Sequence, residues 1–106
     1  MKLHYDTSSQ ELLVRLDGEL DHHRSAMLRT EIDAALYAHM PRILVLDFQA
    51  VTFMDSSGIG LIMGRYKILQ PMGGEIRIQN ASAYISRVLK LAGMERLAQI
   101  CEGVNA

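Results

Sequence analysis

The stretch RILVLDF, Arg42–Phe48, holds four consecutive apolar residues, Ile43–Leu46, with none of the alternation of a half-buried strand. A short unbroken run of this kind fits a central strand covered on both faces, as in sheets whose strands are joined through helices. The chain on either side agrees. From His22 to Met40 the period changes, and Leu28, Ile32, Ala35 and Leu36 recur on one face of a helix. Asp21 stands at its N-cap position and Pro41 marks its end. Before that helix, ELLVRL (Glu11–Leu16) alternates as a strand does and reaches Asp17-Gly18. Leu3–Thr7 reads as a short edge strand, joined to it antiparallel through a tight turn at Ser8–Gln10.

Downstream, a second helix is expected from about Ser57 to Leu69, ahead of Pro71 and a Gly73-Gly74 turn. EIRIQ (Glu75–Gln79) alternates as a strand. Ala83–Leu91 reads as a third helix, with Ile85, Val88, Leu89 and Ala92 on one face and Gly93 as its stop. MERLAQI (Met94–Ile100) fits a short last helix or strand. The order β-β-α-β-α-β-α predicts a single α/β domain over residues 1–106. It would be a small mixed β-sheet with helices packed on it through right-handed crossovers.

A chain of 106 residues suits one core. Its 49% hydrophobic and 22% charged residues are those of a folded protein rather than a disordered one. The net charge of -1 offers no electrostatic footprint for nucleic acid. No apolar stretch approaches the ~20 residues that span a bilayer. MKLHYDTSSQ lacks the apolar segment of a secretory signal. Cys101 is the only cysteine, which leaves no internal disulfide and no cysteine-based metal site. His22 and His23 are adjacent and would point about 100° apart on a helix, a poor arrangement for a metal. The expectation is a cytoplasmic protein, a monomer when free, with no metal, no cofactor, and neither nucleic acid nor membrane as partner.

Chemistry concentrates at MDSSGIG, Met54–Gly60, where strand gives way to helix. Ligand and partner sites in open α/β sheets gather at such ends. A second junction, Gly18-Glu19-Leu20-Asp21, precedes the first helix. If the two strands are neighbours, Asp21 and Asp55 share one end of the sheet. On a helical wheel Ile59, Ile62, Met63, Tyr66 and Leu69 form the core face of the second helix. The opposite side carries Ser57, Gly60, Leu61, Gly64 and Ile68, where a solvent face would carry Lys, Glu and Gln. Each glycine costs about 1 kcal/mol against alanine in a helix. Two of them four residues apart let another backbone approach. That side either packs within the domain or docks a partner helix, with Arg65 and Lys67 as its charged rim.

Ser56 or Ser57 can cap the helix, and both are expected with Gly58 at the partner contact. A phosphate on either adds about -1.5 to -2 charges beside free N–H groups and the positive end of the helix dipole. The free protein would tolerate it, while a docked partner would meet a new, strongly hydrated charge beside Asp21 and Asp55. Residue types alone do not choose between the serines. Two enzyme-like alternatives use the same junction. A small serine hydrolase would need a base among His4, His22, His23 and His39. No glycine stands two residues before either serine, so the G-x-S-x-G pattern is absent. A nucleotide-binding domain would use the helix N-terminus as its anion site, without the G-K-[ST] ending of a P-loop.

Four segments carry a resemblance: GELDHH (Gly18–His23), ILVLDF (Ile43–Phe48), FMDSSGIGLIMGRYK (Phe53–Lys67) and GGEIRI (Gly73–Ile78). Over nearly its whole length the chain resembles the STAS domains, and among them the anti-sigma F factor antagonists of spore-forming bacilli. The resemblance implies a regulator and not an enzyme. Its unmodified form would bind an anti-sigma factor that is also a serine kinase, holding nucleotide, and so free a sporulation sigma factor. The kinase would use ATP to phosphorylate the serine directly after the aspartate of D-S-S, here Ser56, and the complex would part. A dedicated serine phosphatase would reverse the step. Asp21, in the GELD segment, would lie near that serine at the kinase contact.

Overall fold

In a computed structural model that describes residues 1–103, five strands and three helices follow one another. They are β1 (Lys2–Asp6), β2 (Glu11–Leu20), α1 (His22–His39), β3 (Ile43–Met54), α2 (Ser56–Leu69), β4 (Glu75–Ala81), α3 (Ala83–Leu91) and β5 (Ala98–Glu102). Single 3-10 turns occupy Gln70–Met72 and Met94–Arg96. The strands stand in the sheet in chain order, with β1 antiparallel to β2 and all later neighbours parallel. Crossovers of one hand that always step the same way put α1, α2 and α3 on the same face. The rows Leu12–Leu44–Ile76–Ala98 and Val14–Leu46–Ile78 point to that face. They join Leu28, Ile32 and Leu36 of α1, Leu61, Ile62 and Leu69 of α2, and Ile85 and Leu89 of α3 in one core.

Three expectations need correction. First, β3 is central, but helices cover only one of its faces. Ile43 and Val45 are buried yet stand outside the core cluster, on the opposite face. Val45 lies in register between Leu13 and Arg77, whose longer side chains flank it. Second, β2 does not stop at Asp17-Gly18. It passes through two register shifts there and runs on to Leu20. Gly18 takes φ +70, and a Cβ there would meet the Arg24 guanidinium, which pairs with Asp17. A glycine that looks like a strand end is a β-bulge. Third, of the two readings open for Met94–Ile100 a strand forms, β5, after a 3-10 turn, so the order over the described residues extends to β-β-α-β-α-β-α-β. Only Ala98 is buried and Ile100 half-buried along β5, too brief an alternation to choose a strand over a helix.

The seam between α1 and α2 holds a residue that sequence placed elsewhere. Arg65 is not a rim charge: its side chain is buried. Its Nε lies 2.7 Å from Asp33 Oδ1, off the hydrogen-bond line, and Nη2 donates to Asp33 Oδ2 at 3.4 Å. Nη1 donates to the Leu61 carbonyl at 3.2 Å. Burial pushes the Arg65 guanidinium down from its ordinary pKa, and the nearby Asp33 carboxylate opposes that. Removing one member of such a pair strands the other in low dielectric. Asp33→Ala should therefore cost about 3 kcal/mol in urea unfolding. Combining Asp33→Leu with Arg65→Met should recover most of the loss.

Candidate functional site

The two strands that position the site end in step. Leu20 of β2 pairs with Met54 of β3, and the Asp55 N–H donates to the Leu20 carbonyl at 3.4 Å. The next residue of each strand caps a helix. Asp21 Oδ1 accepts the Arg24 N–H at 2.8 Å, and Asp55 Oδ1 accepts the Ser57 N–H at 2.7 Å. Both carboxylates thus stand at one end of the sheet, each at the start of a helix. The sequence offers Ser56 or Ser57 as the cap, but Asp55, the residue before them, takes the position. Ser56 is left as the first residue of α2, exposed, with Ser57 half-buried behind it.

The exposed line of α2 runs Ser56, Gly60, Met63, Lys67, with Gly64 and Ile68 half-buried beside it. This corrects the helical wheel at two positions besides Arg65. Leu61, expected on the docking stripe, is 4% exposed and belongs to the core. Met63, expected in the core, is 40% exposed. The wheel assumed one buried face, whereas α2 packs on the sheet and on α1 at once, which turns Leu61 inward. Gly58, expected at the partner contact, is buried as well. A Cβ there would run into Met54 Cγ and Sδ, so this glycine seats α2 against the end of β3. Gly60 and Gly64 differ: a Cβ at either meets nothing within 4 Å. Neither glycine serves packing inside the domain.

Sequence reasoning missed the α1 side of the site. His22, Ser25, Ala26 and Arg29 of α1 face Ser57, Gly60 and Leu61 of α2 across a groove of about 210 Å3. His22, Ser25 and Arg29 are spaced i, i+3, i+7, a polar line on the same helix that carries the Leu28–Ile32–Leu36 core line. Such a line reads as ordinary solvent surface until α2 is placed beside it. Of the other three histidines, His23 is exposed in the first turn of α1, His4 pairs with Leu13 within the sheet, and the His39 ring stacks on Tyr5 with centroids 4.3 Å apart. Among the described residues no histidine is hydrogen-bonded to Ser56 or Ser57, so the base–nucleophile contact of a hydrolase is not formed. No helix among the described residues is long and apolar enough to cross a membrane.

The chain belongs to the STAS domain family, whose model matches residues 2–106. It is 41% identical over 96 residues to the anti-sigma F factor antagonist of Paenibacillus polymyxa, covering 90% of this chain and 82% of that one. It is 33% identical to the anti-sigma F factor antagonist of Lysinibacillus sphaericus, covering 80% and 73% respectively. Among solved structures, it matches the anti-sigma factor antagonist SpoIIAA in its unphosphorylated form with a TM-score of 0.79 at 29% identity. That match covers 93% of this chain and 85% of the other. The phosphorylated form of Bacillus SpoIIAA matches with a TM-score of 0.71 at 29% identity, covering 93% and 88%.

The three helix glycines should separate in mutagenesis. Gly60→Ala and Gly64→Ala place a methyl in open space on a helix and should each raise stability by about 0.4–1 kcal/mol. Gly58→Ala should lower it, because Met54 must move. Thermal unfolding of the three variants checks the order.

Proposed function

We propose that this chain is an anti-sigma factor antagonist switched by phosphorylation of Ser56. In its unmodified form it binds an anti-sigma factor that is also a serine kinase, and so releases a sporulation sigma factor. Phosphorylation by that nucleotide-loaded kinase ends the complex, and a serine phosphatase restores the antagonist. The protein acts in the cytoplasm by binding rather than catalysis, and is a monomer when free.

The position of Ser56 carries this reading. It is exposed at the first position of α2, and its hydroxyl is not needed as the cap, because Asp55 fills that role. A phosphoryl group there adds about -1.5 to -2 charges to a helix end whose dipole favours negative charge. The fold can therefore carry it. A partner lying over the same end must desolvate it or expel it, beside the carboxylates of Asp21 and Asp55. An uncompensated buried charge costs several kcal/mol, and each 1.4 kcal/mol is tenfold in occupancy.

The contact surface proposed for the partner comprises Asp21, Asp55, Ser56, Ser57, Gly60, Gly64, Lys67 and Ile68. Gly60 and Gly64 give a partner backbone close access, which their open surroundings support. Gly58, Leu61 and Arg65 act from within: the first seats α2, and the other two hold its seam with α1.

Incubation with the cognate anti-sigma factor kinase and ATP, followed by tandem mass spectrometry, should place the phosphate on Ser56. Ser56→Ala should accept none and still dock, whereas Ser56→Asp should dock poorly. Phosphate on Ser57 instead, or full labelling of the Ser56→Ala chain, would remove the assignment.

A further inference from the structure

We propose that the groove between the N-terminal halves of α1 and α2 is a receptor for a phosphate group. Ser25 is the observation that calls for a ligand. It lines the groove, the residue is only 8% exposed, and its Oγ is buried with no hydrogen-bond partner. A buried hydroxyl left without a partner is costly, and a ligand oxygen that reached it would relieve that cost.

The surroundings specify the ligand's chemistry. Arg29 lies one turn after Ser25 on α1 and lines the same groove. It is exposed and makes no ion pair among the described residues. Its guanidinium presents a fork of donors suited to two oxygens of one oxyanion. His22, at the start of α1, and Ser57, in the first turn of α2, stand on the other sides. Both helices direct the positive ends of their dipoles to this end of the molecule. Gly60 contributes no side chain, which leaves room for a tetrahedral group. Donors converging from two helices fit phosphate better than a planar carboxylate. Asp21 and Asp55 oppose the anion from the same end, although each already accepts a backbone N–H. Binding is accordingly weak and falls with added salt.

Two sources supply this chemistry. One is inorganic phosphate in solution. The other is a phosphoryl group on Ser56, which stands one turn before Gly60 on the same line of α2. The second source rests on the phosphorylation reading; the first does not.

The test is amide-resolved NMR of the full chain, with no kinase involved. Inorganic phosphate is titrated into the unmodified chain and into a chain carrying phosphoserine at position 56 by genetic encoding. In the unmodified chain, saturable shifts are expected over residues 22–29 and 57–61, weakened at least severalfold by Arg29→Gln. Ser25→Ala should weaken them too while holding or raising the melting temperature, since it removes an unpartnered hydroxyl. If the phosphoserine chain already shows the shifted groove amides and no longer responds to added phosphate, the tethered group is the occupant. If it still responds as the unmodified chain does, free phosphate is. The proposal is overturned if phosphate moves no groove amides in either chain, or if the shifts are unchanged by Arg29→Gln. That result would leave the kinase and partner reading of Ser56 untouched.

Discussion

The site depends on one pairing, the parallel union of β2 and β3 carried to the last residue of both strands. Leu20 opposite Met54 means that the chain leaves the sheet twice at the same height. Each exit is followed by an aspartate that caps a helix. Two helix N-termini are thereby set side by side on one rim. The bulges at Asp17-Gly18 serve this arrangement, because they let β2 follow β3 beyond the stretch where β4 still pairs. Arg24 and Asp17 close over the bulge, and the same Arg24 supplies the N–H that Asp21 accepts. Strand register, bulge and helix cap are thus linked through a few neighbouring residues.

From that arrangement the division of labour in D-S-S follows. A helix start needs one acceptor for its free N–H groups. With Asp55 in that role, Ser56 is released to solvent and Ser57 turns toward α1. An added charge at Ser56 meets a helix end that favours it and a surface that need not rearrange. The match to SpoIIAA solved in both its unphosphorylated and phosphorylated forms agrees with a fold that accommodates either state. The ion pair of Arg65 with Asp33 and the seat of Gly58 on Met54 keep α2 fixed while its outer line stays free for contact.

Much of this was legible in the residues, and the exceptions have physical reasons. Periodicity marked the helices, β2 and β4, because each buries a face long enough to repeat; β3 showed as an unbroken apolar run, and β1, with no buried residue, as a short segment before a turn. β5 stayed open between helix and strand because its alternation is so brief. Gly18 misled because a glycine with positive φ serves a bulge as well as a turn. Arg65 misled because a lone arginine on a helix normally reads as surface, and its partner lies 32 residues away in sequence. Leu61 and Met63 exchanged places because a wheel assumes one buried face, while α2 touches two neighbours. Residue types put the cap on Ser56 or Ser57, yet Asp55 takes it, since aspartate and serine are near equals as N-caps. The resemblance pointed to Ser56, and the geometry separately leaves that residue exposed.

The central claim is that charge added at an exposed, already capped helix start excludes a partner without disturbing the fold beneath it. The direct measurement is calorimetric titration of the nucleotide-loaded anti-sigma factor into the chain carrying phosphoserine at 56, beside the unmodified chain of equal melting temperature. The expected result is affinity lower by about 100-fold, or ~2.7 kcal/mol. Equal affinities, or a weaker complex only because the phosphorylated chain has lost its folded structure, would contradict it.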